Sequence, residues 1–170
     1  MTLPVLFIGR FQPLHKGHLY VLEEIFAREQ RVFIVIGSAE ACFTPMNPFT
    51  VGERIQMLLG VLDSLEIPCA RYLIVPIPDI HNYSRWVQHI IQYLPPFGKV
   101  YTGSETVRKL FSEQGIPVTM IAHHRRRVLS GTEARRRLQK GKDWKAIVPP
   151  TVAKLVEEID GAKRIKALAV

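Results

Sequence analysis

Two histidines three positions apart, His15 and His18, stand in the segment Gly9-Arg10-Phe11-Gln12-Pro13-Leu14-His15-Lys16-Gly17-His18. On the first turn of a helix, residues at this spacing share a face, so both imidazoles can address one spot. Imidazoles there donate hydrogen bonds to phosphate oxygens, and do so more effectively as negative charge builds in a transition state. Gly9 and Gly17 lack Cβ and allow sharp turns or close approach of backbone to a ligand. Two other readings stand beside the phosphate site. H-x-x-H supplies a zinc ion with two ligands and no third fixed by spacing, and each histidine could serve as a cap or a packed ring. Neither G-x-x-x-x-G-K-[ST] nor G-x-G-x-x-G occurs, which counts against kinase-like and dinucleotide-oxidoreductase functions. No Ser/His/Asp or Cys/His nucleophile constellation is apparent.

Charge supplies the second signal. The chain carries 23 Lys+Arg and 15 Asp+Glu for a net +8, and nine of the basic residues but only two acidic ones (Glu133, Asp143) fall between His123 and Lys145. Charge concentrated this way suits a polyanionic partner, either nucleic acid or a phosphorylated small molecule, or else a solvated helix face. A nucleic-acid module pairs its basic stripe with stacking aromatics, and this stretch offers only Trp144, which disfavours nucleic acid. Within the stretch Ser130 and Glu133 have capping-box spacing, and Arg135 is of the type suited to bidentate phosphate contact.

The elements that must position these residues follow from hydrophobic periodicity. Val5 to Ile8, Val32 to Ile36, Tyr72 to Val75, Val100 to Thr102 and Val118 to Ala122 read as five short buried strands. Between them lie helical segments: Lys16 to Gln30, a helix after the Thr50/Glu53 capping box, Ser84 to Leu94, and Ser104 to Gln114 stopped by Gly115 and Pro117. This alternation predicts an α/β fold, an open parallel five-stranded sheet with helices on both faces. Past Ala122 only helices are expected: one after Ser130 ending at Gly141, one from about Thr151 to Asp160, and a short tail. The 170 residues read as one domain, an α/β core over 1–122 and a helical C-terminal extension over 123–170, without repeats or low-complexity segments. The His15/His18 segment then lies between the first strand and the first helix, where an open α/β sheet binds ligands and a helix N-terminus attracts phosphate.

Composition narrows the setting. Apolar runs such as Val32 to Ile36 fall far short of the roughly 20 residues of a membrane helix, and Met1-Thr2-Leu3-Pro4 lacks a basic n-region. A cytoplasmic protein is expected. Cys42 and Cys69 form no C-x-x-C, so neither structural zinc nor a disulfide is implied.

The H-x-G-H of His15 to His18 resembles the signature of the nucleotidyltransferase superfamily that includes class I aminoacyl-tRNA synthetases. The wider pattern adds Gly37-Ser38-Ala39, Asn47-Pro48-Phe49-Thr50-Val51-Gly52-Glu53-Arg54, Pro78-Asp79-Ile80, Trp86-Val87 and Ser130-Gly131-Thr132-Glu133-Ala134-Arg135. Together these resemble the archaeal-type nicotinamide-nucleotide adenylyltransferase family over nearly the whole chain. That resemblance implies a Rossmann-like domain, often hexameric, on which ATP and nicotinamide mononucleotide (NMN) give NAD and pyrophosphate by in-line attack on the α-phosphorus, without a covalent intermediate. It also implies Mg²⁺ held by phosphates and water rather than by protein. His15, His18 and Arg135 are the implied catalytic residues. Gly9, Arg10, Phe11, Gln12, Gly17, Gly103, Ser130 and Thr132 are placed at the ATP phosphates, and Gly37, Ser38, Asp79, Asn82, Tyr83 and Trp86 at the nicotinamide nucleotide. An indole face suits a cationic pyridinium, although Trp86 on an amphipathic helix also fits plain core. Two positions depart from the family: Met46 stands where a basic residue is usual, and Tyr83 where Asn is usual. These leave room for another phosphorylated acceptor. The run His123-His124-Arg125-Arg126-Arg127 falls in a loop the family varies.

Overall fold

The computed structural model describes residues 2–121 and 128–168. Strands β1 (Val5–Gly9), β2 (Val32–Ile36), β3 (Tyr72–Pro76), β4 (Lys99–Thr102) and β5 (Val118–Met120) form one sheet in the order β3-β2-β1-β4-β5. Every pairing is parallel, with Val5 opposite Val32 on one side and Lys99 on the other. β2 is buried at all five positions, as an unbroken apolar run requires when both sheet faces are covered. Side chains alternate between those faces. Leu6, Phe33, Val35 and Val100 pack beneath α3 (Tyr83–Gln92) and α4 (Glu105–Glu113). Val5, Phe7, Val32, Ile34 and Ile36 pack beneath α1 (Lys16–Arg28) and α2 (Val51–Ser64). Because β2 and β3 lie on one side of β1, and β4 and β5 on the other, the chain reverses its direction of winding between β1 and β4. The loops leaving those two strands diverge and open a crevice at their carboxyl ends.

The expected alternation and the helix-only C-terminal region are both present. Some boundaries move, for local reasons. α1 stops at Arg28 rather than Gln30, because Glu29 is extended (φ −118°, ψ 143°) and its carboxylate is bonded by Tyr101 and Lys99. α3 begins at Tyr83, capped by Asn82, and ends at Gln92, ahead of Pro95-Pro96. β5 is assigned to Met120, although Ile121 N–H still bonds the Thr102 carbonyl; Ala122 lies outside the described residues. The Thr50/Glu53 capping box forms in both directions, at 3.2 and 2.8 Å. At α5 (Gly131–Lys140) only one half of the expected box is made. Ser130 Oγ accepts the Glu133 N–H at 3.2 Å, while the Glu133 carboxylate is held by Arg136 and Arg137.

The C-terminal helices are part of the packed core rather than an appendage beside it. α5, α6 (Pro150–Glu158) and α7 (Gly161–Ala167) contribute Ala134, Leu138, Val152, Val156 and Ile165 to the cluster under α1 and α2. The expected tail is α7, whose Arg164 forms a bidentate pair with Glu53 at 2.7 and 2.8 Å and also bonds the Pro48 carbonyl. Among the described residues no helix is long and apolar enough to cross a membrane.

Burial alone would raise the Glu53 carboxyl, but the Arg164 hydrogen bond and the Thr50 amide outweigh it and hold it below its ordinary 4.5. A carboxylate depressed in the folded state contributes stability above its unfolded pKa and loses it as pH falls through the folded value. Arg164→Met is therefore expected to cost about 1–2 kcal/mol at neutral pH and to flatten the decline below pH 4.5. Urea unfolding of both proteins across that range measures this.

Candidate active site

The β1–α1 loop is shaped by one aromatic ring. Phe11 has φ +53° and a fully buried side chain. Its ring lies against Gly9, where a Cβ would come within 2.8 Å of it, and supports His18 with centroids 4.7 Å apart. His15 is the N-cap of α1, and its ring stacks on His18 at 3.8 Å. The His15 N–H donates to His18 Nδ1 at 3.4 Å, so the proton of a neutral His18 ring sits on Nε2. The two imidazoles are thus held as one stacked unit at the helix N-terminus. Gly17 is required for contact across chain segments. A Cβ there would meet the Leu129 carbonyl at 2.8 Å and His15 Nδ1 at 2.9 Å.

Leu129 and Ser130 lead into α5, which brings Arg135 to the same place. Its guanidinium is buried, donates to the Gln12 carbonyl at 2.8 Å and lies 3.4 Å from Thr132 Oγ1. No carboxylate pairs with it among the described residues. Burial and, secondly, the Arg10 charge lower its pKa. Arg10, His15, His18, Thr132 and Arg135 line a polar cavity of about 190 Å³ with the 11–12 backbone. A larger one of about 360 Å³ adjoins it in the crevice, bounded by Arg10, His15, Gly17, His18, Thr102, Gly103, Ser104 and Ser130. Among the described residues, the N-termini of three helices, α1, α4 and α5, border this region together with Arg10 and Arg135, and no acid lines it. It is built for a multiply charged anion. Gln12 is buried and gives its amide to both backbone groups of Phe49, at 2.8 and 2.9 Å, so its contribution to the cavity is structural.

A second cavity of about 230 Å³ is bounded by Asp79, His81, Asn82, Tyr83 and Trp86. Trp86 is half-buried with its ring edge-on to Phe111 at 5.7 Å, so it is both core and cavity wall. Asp79 accepts from Ser38 Oγ at 2.5 Å, and its N–H donates to Glu40 at 3.0 Å. Gly37 and Ser38 do not wall this cavity. Gly37 leaves open space where a side chain would be, and Ser38 reaches the cavity through Asp79. Asn82 Oδ1 caps α3 through Ser84, while Tyr83 is 73% exposed.

Comparison with known proteins bears on this arrangement. Residues 6–137 match a family model described as cytidylyltransferase-like. Over 164 residues the chain is 43% identical to a nicotinamide-nucleotide adenylyltransferase of Thermococcus kodakarensis, covering 96% of this chain and 87% of that one. A second such protein, from Methanospirillum hungatei, is 42% identical over 163 residues, covering 96% and 92%. The chain belongs to the nicotinamide-nucleotide adenylyltransferases of the cytidylyltransferase-like family. Its fold matches a solved bifunctional NMN adenylyltransferase/ADP ribose pyrophosphatase from Francisella tularensis, with a TM-score of 0.78 at 22% identity. The match covers 99% of this chain and spans 52% of that longer protein.

Against the family pattern, Met46 is half-exposed, with its Sδ 3.9 Å from Arg135 Nη2. The expected positions thus fall in two groups, one along the crevice at the ends of β1 and β4 and one in a separate pocket at the start of α3. Residues 123–127 lie outside the described residues. Among the described residues no group of three His, Cys, Asp or Glu could hold a metal.

Two residues to which the sequence pattern assigned no role, Arg54 within the 47–54 stretch and His89, organise the site. Arg54 is wholly buried and bonded to carbonyls of both loops. Its signal was a cation on the apolar stripe of α2, in register with Met57, Leu58 and Val61. His89 bonds the Pro78 carbonyl at 2.8 Å, and nothing in its spacing marked it.

Gly17→Ala is expected to fold but to lose roughly 10-fold or more in turnover, because the new methyl displaces the Leu129 carbonyl or the His15 ring. Gly37→Ala meets nothing within 4 Å and is expected to leave the melting temperature unchanged. Thermal unfolding with steady-state kinetics distinguishes the two.

Proposed function

We propose that this chain transfers the adenylyl group of ATP to nicotinamide mononucleotide, releasing pyrophosphate and forming NAD. The observation that carries the reading is the acid-free anion cavity, where the stacked His15/His18 pair, Arg10 and buried Arg135 meet three helix N-termini beside a second, aromatic-walled pocket. A phosphate oxygen of the mononucleotide attacks the α-phosphorus of ATP, and the bond to the bridging oxygen of the β-phosphate breaks. The displaced pyrophosphate carries away the electron pair. No protein nucleophile is needed, so the site's work is to bring two anions into line and neutralise the charge that develops.

In this reading His18 Nε2–H and His15 donate to the phosphates as the α-phosphorus becomes five-coordinate. Arg135, Thr132 and the α5 amides hold the β- and γ-phosphates, with Arg10 beside them. Gly103 and Ser104, at the start of α4, complete the crevice. Mg²⁺ enters as part of the ATP complex and is carried by phosphate and water. The mononucleotide occupies the pocket of Asp79, Asn82, Tyr83 and Trp86, with its cationic ring on the indole. Assembly as a homohexamer in the cytoplasm belongs to the same reading, supported by family resemblance.

The direct test is pyrophosphate release from ATP and Mg²⁺ with NMN, with nicotinate mononucleotide, and with no acceptor. Release dependent on NMN with an equal yield of NAD supports the reading; release with neither acceptor overturns it. His18→Ala is expected to lower kcat by about 10²-fold or more with little change in KM, as for a donor acting mainly in the transition state. Arg135→Lys keeps the charge but loses the planar fork, and is expected to raise KM for ATP about 10-fold or more. Steady-state kinetics with each substrate varied in turn reads both.

A further inference from the structure

We infer that His89, which touches neither cavity, is a positioning residue for the mononucleotide pocket. The inference rests on the proposed reaction. Asp79 and the aromatic wall come from different elements. Asp79 follows β3, whereas Tyr83 and Trp86 ride on α3, and only the short link over 80–82 joins them in sequence. The link contains His81 at φ +50°, a conformation most side chains avoid. It is exposed at 81 and 82 and cannot by itself set the distance between the walls.

Ile77, just after β3, shares a buried cluster with Val87 and Ile90 of α3, and His89 adds the directional tie that apolar packing lacks. It lies one turn beyond Trp86 on α3, and its Nε2 is 2.8 Å from the Pro78 carbonyl, the residue before Asp79. A carbonyl can only accept, so Nε2 carries the proton. Nδ1 then accepts from Gln92 Nε2 at 3.0 Å, which fixes the neutral tautomer and the ring plane, and Tyr93 packs edge-on at 5.1 Å. Asp79 is further fixed by Glu40 at its N–H and by Ser38 at its carboxylate. Of these three hydrogen-bonded ties, the one from His89 joins the backbone next to Asp79 to the helix bearing Trp86. His89 therefore sets the width of the pocket between the carboxylate and the indole. None of its bonds reaches the phosphate crevice, so its effect falls on mononucleotide binding and not on ATP or the chemical step.

Three substitutions test this with wild type run alongside. Glutamine places an amide N–H near the position of histidine Nε2, whereas asparagine places one near Nδ1. His89→Ala and His89→Asn are expected to raise KM for NMN about 5- to 10-fold, the scale of one lost ordering hydrogen bond, with kcat and KM for ATP within about 2-fold. His89→Gln is expected to recover most of the loss, and Trp86 fluorescence titrated with NMN should follow the same order. Equal KM for NMN in wild type, Asn and Gln proteins overturns the inference, as does a parallel fall in kcat and rise in both KM values that tracks a lowered melting temperature. If His89→Ala does not fold, the Asn/Gln pair decides. A wild type that forms no NAD overturns the proposed reaction, whereas an active wild type with indifferent variants overturns only the role of His89.

Discussion

A single buried cation holds the ligand-binding end of the sheet together. The Arg54 guanidinium is wholly inaccessible and no carboxylate pairs with it among the described residues, yet it donates to the carbonyls of Arg10, Gly37, Ser38, Ala39, Ala41 and Thr50 at 3.0–3.4 Å. Burial lowers its pKa. Desolvating a charge without a counter-ion is costly, and the convergence of carbonyl dipoles on its donors offsets that cost. The carbonyls belong to the loops after β1 and β2, so one side chain from α2 ties both loops to the same point. In a trans peptide, turning a carbonyl inward turns the following N–H away. Arg54 thereby fixes which side of the 10–11 and 37–39 backbone presents donors, and Ala39 N–H uses its orientation to bond the Ile77 carbonyl and bring in the loop after β3. Three strand ends are aligned before any ligand is present.

The phosphate crevice is built on that alignment through Gln12. Its side chain is clamped by Phe49 and its carbonyl is held by Arg135, so the start of α2, the β1–α1 loop and α5 are docked to one residue. Gly131 makes the docking possible, since a Cβ there would crowd Arg135 Nη1 at 3.1 Å and the Gln12 carbonyl at 3.4 Å. The nearest acid in sequence, Glu133, is drawn to the opposite side of α5. Arg136 and then Arg137 hold its carboxyl down at about 2, and it stays ionised without entering the cavity. Arg10 and Arg135 are left facing each other without an acid between them. An anion binding there removes their repulsion as well as gaining contacts, so its affinity feeds directly into the stability of the folded chain.

Much of this was legible along the chain because phosphate recognition is local. A strand end, a glycine, a helix N-terminus and two imidazoles on one turn are neighbours in sequence, and each constrains the next through backbone geometry. The same holds for strands such as β2, whose five apolar residues admit little but a doubly covered position. Where a side chain had two partners to choose from, the pattern was ambiguous. Thr50/Glu53 and Ser130/Glu133 share one spacing, yet Glu133 has arginines one turn ahead and Glu53 has a distant one in α7. The C-terminal segment reads as a tail because its short amphipathic stretch lacks a strong start signal; it is a helix because Ile165 is buried and Arg164 finds Glu53. Arg54 and His89 act on backbone carbonyls, which carry no residue-specific mark; Arg54 shows in the pattern as a cation on the apolar stripe of α2, and His89 has no such signal.

The pocket of Asp79 and Trp86 was less legible for a related reason: its walls are set by distances between elements rather than by a run of residues. Met46 shows how such a position works. A cation at that place would stand beside Arg135, whose charge burial already penalises. The thioether instead touches Arg135 Nη2 at 3.9 Å. Sulfur is a weak, polarizable acceptor, so it covers the guanidinium edge without competing with a phosphate oxygen for it. A neutral side chain there spares Arg135 a second like charge besides that of Arg10.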